Sequence, residues 1–180
     1  ARADSVIDGR LVYDVRRRIG QGLYDVLPIT GDIVCPVPDS GTAYAAGYAE
    51  RSGIPFVEGL MKNRYVGRTF IMPVQQQRER AVRIKLNTVK GNLKGKRVVL
   101  IDDSIVRGTT SRRIVKMIQE AGASEIHLRV GSPPIISPCY LGVDMPSRTE
   151  LIASGKGIEA VRESVGATSL AYIPLRDLVE

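Results

Sequence analysis

The stretch Val98-Val-Leu-Ile-Asp-Asp-Ser-Ile-Val-Arg-Gly-Thr-Thr-Ser111 constrains this chain more than any other. Val98–Ile101 is apolar at every position, with no polar residue on alternate sites. A strand of that kind must be covered on both faces, which is the habit of parallel sheets. Two acids, Asp102 and Asp103, end it abruptly. A turn of small and polar residues follows. The chain then takes up helical spacing, with Ile114, Val115, Ile118 and Ala121 on one side and Gly122 at the end. Strand, acid pair, turn and helix in that order make one half of a βαβ unit.

The flanking sequence repeats the alternation. Arg10–Leu23 carries Leu11, Val15, Ile19 and Leu23 at helical spacing. Asp32–Val37 reads as a short buried strand, Pro38–Gly41 as a turn and Ala43–Arg51 as a helix ended by Gly53. Pro55–Glu58 is expected as a strand, Met61–Val74 as a long loop and Arg78–Leu86 as a short helix. Glu125–Val130 and Leu170–Ile173 read as strands, and Ser147–Ser154 and Ile158–Val165 as helices. The expected fold class is α/β, a mainly parallel sheet with helices on both faces. At 180 residues the chain fits one domain spanning residues 1–180.

In such sheets ligands bind beyond the carboxyl ends of the strands. That is where Asp102 and Asp103 fall. Adjacent carboxylates accept hydrogen bonds from vicinal sugar hydroxyls, or hold a divalent cation with its waters. Gly108 lets backbone approach a ligand closely. Thr109, Thr110 and Ser111 bring hydroxyls, and the N–H groups of a helix start favour a phosphate. A site that takes a diol or metal on one side and a phosphate on the other matches a ribose 5-phosphate. The spacing is neither the Gly-x4-Gly-Lys-Ser/Thr of a P-loop nor the Gly-x-Gly-x-x-Gly of a dinucleotide fold. A bare Asp-Asp pair reads equally well as a polar turn capping a helix.

Charge points the same way. Between Lys62 and Arg97 eleven Lys and Arg face one acid, Glu79. That segment is +10 in a chain of net +7, so the remainder is −3. A localised basic segment suits a phosphate-rich ligand. Its aromatic residues are Tyr65 and Phe70, too few to stack nucleic-acid bases. Two cysteines, Cys35 and Cys139, do not make a disulfide framework and fit a reducing compartment. No apolar run approaches the ~20 residues of a membrane span, and the start has no apolar signal core, so a cytoplasmic location is expected.

The Val98–Ser111 string resembles the phosphoribosyl pyrophosphate (PRPP) signature of type I phosphoribosyltransferases, and more specifically that of the glutamine PRPP amidotransferases. The resemblance extends to Val37-Pro-Asp-Ser-Gly41, Lys62-Asn-Arg-Tyr-Val-Gly-Arg-Thr-Phe-Ile71, Pro73-Val-Gln-Gln-Gln-Arg78 and Gly142-Val-Asp-Met-Pro-Ser147. It covers nearly the whole chain in order. It implies a type I phosphoribosyltransferase fold. It also implies that ammonia attacks C1 of PRPP and displaces pyrophosphate, giving phosphoribosylamine at the start of purine synthesis. Asp102 and Asp103 would hold the ribose hydroxyls and help bind Mg²⁺, with Ser40 at a further magnesium position. Ser104, Ile105, Val106, Arg107, Gly108, Thr109, Thr110 and Ser111 would wrap the 5-phosphate. Asp39, Ser40 and Gly41 would form the pyrophosphate turn. Lys62, Arg64 and Arg68 are the catalytic cations expected at the departing pyrophosphate, on a segment, Lys62–Arg78, that resembles the family's closing loop. The lone histidine, His127, falls in a strand and needs no catalytic role.

In this family the ammonia comes from glutamine, through an N-terminal domain with a Cys nucleophile at its first residue. Here the chain begins at Ala1 and its first cysteine is Cys35, so the glutaminase domain and the C-terminal tail of a parent protein are expected to be missing. Activity with free ammonia alone is the expectation. Ala3 stands where the family usually has Pro. Cys139 matches a position where some members ligate a [4Fe-4S] cluster. A cluster needs about four cysteines, so Cys139 reads as an orphaned ligand or a buried thiol, and no cluster is expected. Homo-oligomers are the family's habit. Two other readings share the signature: a PRPP-sensing regulator without catalysis, for which the positive charge would serve DNA, and a salvage phosphoribosyltransferase acting on a free base.

Overall fold

Parity along the central strands sets the architecture. Val98 and Leu100 point into one apolar cluster, and Val99 and Ile101 into another on the opposite face. Every one of these four side chains is buried, so both faces need a cover. The computed structural model describes residues 1–62, 86–139 and 147–179. Its order begins with a small antiparallel hairpin, β1 (Val6–Ile7) and β2 (Arg10–Leu11), followed by α1 (Val12–Val26), β3 (Ile33–Pro36) and α2 (Thr42–Ser52). Next come β4 (Leu60–Lys62), β5 (Leu86–Thr88), α3 (Lys90–Leu93), β6 (Arg97–Asp102) and α4 (Thr109–Glu120). The chain closes with β7 (Glu125–Val130), a 3₁₀ turn at Arg148–Glu150, α5 (Ile158–Val165), β8 (Ser169–Tyr172) and α6 (Leu175–Val179).

β3, β6, β7 and β8 form a parallel sheet in the order β3-β6-β7-β8. Helices α4 and α5 bury Ile114, Val115, Ile118, Val161 and Val165 against one face. Leu23 of α1 and Tyr44, Ala45 and Tyr48 of α2 cover the other. The fold is therefore the expected parallel α/β sheet with helices on both sides. At the amino edge the Asp32 carboxylate accepts hydrogen bonds from the Arg97 backbone N–H (2.8 Å) and guanidinium (2.9 Å), which sets β3 against β6. That contact holds the Asp32 carboxyl down at about 2.

Several expectations change in detail. Pro55–Glu58 is not a strand of the sheet. It contributes one parallel bridge, Phe56 beside Val34, along the outer edge of β3. The expected loop from Met61 begins inside a strand, because Leu60–Lys62 pairs antiparallel with Leu86–Thr88. Residues 63–85 lie outside the described residues, so Arg64, Arg68 and nearly all of the expected Arg78–Leu86 helix do too; Leu86 itself opens β5. Ser147–Ser154 holds only a 3₁₀ turn. Its buried residues, Leu151, Ile152 and Ala153, are consecutive and lack helical spacing, so they plug the core as an irregular segment.

Helices α1 and α2 pack at unusually close range. A β-carbon on Gly20 would collide with the Tyr44 carbonyl, and one on Gly47 with the Arg17 carbonyl. Both obstacles are backbone, so the helices would have to part. Gly20→Ala is predicted to cost about 1–3 kcal/mol in chemical denaturation despite its better helix propensity, as overpacking does. An unchanged stability would show that this crossing opens freely.

Candidate active site

The carboxyl edge of the sheet opens onto a cavity of about 410 Å³. Three separate segments line it: Val37, Pro38 and Ser40 after β3; Lys62 and Leu86 from the β4–β5 pair; and Asp102–Ser104, Val106–Ser111 and Ile114 from the end of β6 into α4. The topology explains why they meet. β3 and β6 are parallel neighbours, so the turns leaving them emerge side by side.

The acid pair divides its environments. Asp102 is the last residue of β6 and only 6% exposed. Its carbonyl accepts the Gly131 N–H at 2.9 Å, and its Oδ1 accepts the Asp103 N–H at 2.9 Å. Burial, with the hydrogen bond and charge of Asp103 behind it, pushes the Asp102 carboxyl up to about 8. Asp103 is half-buried and takes a longer hydrogen bond from Ser104 Oγ at 3.4 Å. A buried acid beside a second acid wants a cation or a hydroxyl donor nearby.

The turn after the acids is shaped by its neighbours. Ile105 is 1% exposed and sits in the core, so its side chain anchors the turn and does not line the cavity. Gly108 caps α4 in the left-handed region at φ 73°, and a β-carbon there would strike the Ile152 side chain. Two independent constraints thus demand glycine. No side chain caps α4, and its first turn carries no acid. The N–H groups of Thr109, Thr110 and Ser111 and their hydroxyls therefore present a positive end to the cavity. Arg107 stands at the rim, and its guanidinium meets Glu150 at 2.6 Å.

The turn after β3 supplies the second wall. The Pro38–Asp39 peptide is cis, and Gly41 donates its N–H to the Val37 carbonyl at 2.8 Å. A β-carbon on Gly41 would collide with the Ile101 carbonyl, so glycine lets this turn lie against the end of β6. Pro38 and Ser40 face the cavity, whereas Asp39 and Gly41 do not line it. Asp39 instead holds Lys62 Nζ at 2.7 Å, with both side chains at least half exposed. Water screens such a pair, so an incoming anion can take the lysine.

The cavity gathers most of the residues expected from sequence: Ser40, Lys62, Asp102, Asp103, Ser104, Val106, Arg107, Gly108, Thr109, Thr110 and Ser111. Arg64 and Arg68 lie outside the described residues. Sequence reading does not assign Leu86 or Ile114 to the site, which they reach through the β4–β5 pairing and the first turns of α4, nor Glu150, which meets the rim only through Arg107. His127 is remote from the cavity, buried between Glu125 at 3.0 Å and Ser169 at 3.0 Å. Cys35 is fully buried in β3, and burial pushes its thiol up to about 11. Cys139 is half-buried, and neither cysteine is in a disulfide. Among the described residues no three His, Cys, Asp or Glu side chains come together as a metal site, and no helix is long and apolar enough to cross a membrane.

The carboxyl group of Asp102 carries a testable consequence. Because its folded value is raised above the ordinary 3.8, its stabilising contribution is complete below about 4 and is lost as pH rises through about 8. Asp102→Asn is predicted to flatten the fall in melting temperature of the ligand-free chain between pH 5 and 8. A variant whose melting curve tracks the parent over that range would contradict the assignment.

Comparison with known proteins agrees with this geometry. The phosphoribosyl transferase domain family matches residues 3–130. Amidophosphoribosyltransferase of Methanocaldococcus jannaschii is 59% identical over the whole chain, which covers 38% of that protein. The Bacillus subtilis enzyme is 51% identical over the same 180 residues, again 38% of its length. The solved structure of glutamine PRPP amidotransferase from B. subtilis, complexed with ADP and GMP, superposes with a TM-score of 0.88, covering 99% of this chain and 39% of that one. The chain thus spans less than two-fifths of these relatives. It belongs to the phosphoribosyl transferase domain family and is similar over its whole length to the corresponding part of amidophosphoribosyltransferases.

Proposed function

We propose that this chain binds PRPP together with Mg²⁺ and transfers its phosphoribosyl group to ammonia, releasing pyrophosphate and 5-phosphoribosylamine. The observation that carries the reading is the single cavity shared by Ser40, Lys62, Asp102, Asp103 and the Ser104–Ser111 turn. Ribose hydroxyls suit the acid pair. The 5-phosphate suits the uncapped start of α4, and the pyrophosphate suits the Pro38–Gly41 turn beside Lys62. Residues 1–180 act as the phosphoribosyltransferase unit. In a longer parent the ammonia would come from a glutaminase domain, the assembly would be a homo-oligomer and the location cytoplasmic.

Asp102 and Asp103, with Ser40, would hold a magnesium ion through oxygen donors, the ligand type such an ion takes. The raised Asp102 carboxyl marks a place where a cation would relieve two crowded acids. Bound there, the ion would neutralise pyrophosphate oxygens. The chain's own residues do the rest. Asp102 and Asp103 orient the ribose by its hydroxyls, and the α4 start fixes the far phosphate, so C1 is held between two anchored ends. Lys62, released from Asp39, meets the charge that grows on the leaving pyrophosphate. Arg64 and Arg68 are assigned the same task. Ammonia carries its own lone pair, so no general base is required. In this reading Cys139, whether an orphaned cluster ligand of a longer parent or a plain thiol, has no role in the transfer.

Incubating the chain with PRPP, Mg²⁺ and ammonium at mildly alkaline pH should release pyrophosphate and give phosphoribosylamine by mass. Asp103→Asn should lower turnover by about a hundredfold or more, on the scale of removing one preorganised polar contact. Failure to release pyrophosphate with ammonia would defeat the reading. Release with a nucleobase instead would identify a salvage enzyme, and tight duplex-DNA binding without turnover would identify a regulator.

A further inference from the structure

The turn that carries the phosphate contacts does not hold its own shape. Between Ser104 and Gly108 it makes no regular secondary structure, yet it must present several N–H groups toward one point. Its support comes from a segment 43 residues further along the chain. The Ile152 N–H donates to the Val106 carbonyl at 2.9 Å. The Ile152 side chain, 6% exposed, fills the space that a β-carbon on Gly108 would need. Between those two contacts, Arg107 Nε and a terminal guanidinium nitrogen both lie 2.6 Å from Oε2 of Glu150. Ser147 Oγ donates to the other carboxylate oxygen of Glu150 at 3.3 Å. Three consecutive turn residues, Val106, Arg107 and Gly108, are thus each gripped from outside.

We propose that Glu150 is a positioning residue for the phosphate-binding turn. It fixes Arg107 at the cavity rim and, with Ile152, locks Val106–Gly108 in the shape that turns the start of α4 toward the ligand. Glu150 does not line the cavity. It acts through Arg107. Its carboxylate also orients the guanidinium beside the anion site, so the phosphate is read mainly by backbone N–H groups of the turn. The 3₁₀ turn Arg148–Glu150 brings the acid to the right height, and the buried run Leu151–Ala153 moors that turn in the core. This proposal rests on the reading of the cavity as a PRPP site, which its test separates from the brace itself.

Hydrogen exchange on the ligand-free chain examines the brace alone. In Glu150→Ala the amides of Ile152 and Arg112, which donate to the Val106 and Gly108 carbonyls of the turn, should exchange about tenfold faster, with β6 and β7 unchanged, and Glu150→Gln, which keeps a hydrogen-bond acceptor, should recover part of the protection. In calorimetry, Glu150→Ala and Arg107→Met should each weaken PRPP binding with Mg²⁺ by about tenfold, and the double variant should be no weaker than Arg107→Met alone. Unchanged exchange at Ile152 and Arg112, or additive losses in the double variant, would overturn the proposal. Faster exchange at Ile152 and Arg112 in Glu150→Ala, with no PRPP bound by the unsubstituted chain, would leave the brace standing and remove the assigned ligand.

Discussion

The structure depends on one constraint: β6 is buried on both faces and must stop without warning. Val98–Ile101 gives the sheet its centre, with alternate side chains feeding two separate cores. At Asp102 the strand reaches the end of its cover, and the chain places a carboxyl where solvent barely enters. That carboxyl is held high by its own burial, and its backbone carbonyl is tied to Gly131 beyond β7. The neighbouring turns then have to pack around this end, so the Gly41 and Gly108 backbones close in where a β-carbon would not fit. The cavity is what remains between them.

Electrostatics in this cavity run from acid to base across a short span. Asp102 and Asp103 occupy one wall, the positive end of α4 the next and Lys62 the third. Two cations at the rim are already engaged by carboxylates, Lys62 by Asp39 and Arg107 by Glu150, but the engagements differ in kind. The lysine pair joins two exposed side chains and yields easily to an anion. The arginine pair is one grip among three on the same turn, alongside the backbone bond to Val106 and the packing of Ile152. One pair is suited to exchange and the other to hold.

Much of this was legible in the sequence because the signals were local. An unbroken apolar run gave β6, helical spacing gave α4, and the Asp-Asp pair followed by Gly and hydroxyls gave the chemistry at their junction. Pro38–Gly41 was readable for the same reason. What escaped depends on long-range pairing. Lys62 was expected on a loop, yet it closes a strand because Leu86–Thr88 returns to pair with it. Ile105 was grouped with the phosphate contacts through its backbone; that its side chain anchors the turn in the core depends on packing that no local pattern shows. Glu150 lies forty-three positions from Arg107, and no periodicity links the two.

The central claim is that one cavity holds both ends of PRPP. Calorimetric titration of PRPP with Mg²⁺, repeated in the presence of ribose 5-phosphate and then of pyrophosphate, tests it directly. The account predicts that PRPP binds more tightly than either half and that each half competes with it. If either half leaves PRPP binding untouched, the acid pair with the α4 start and the Pro38–Gly41 turn do not serve one ligand, and the account fails.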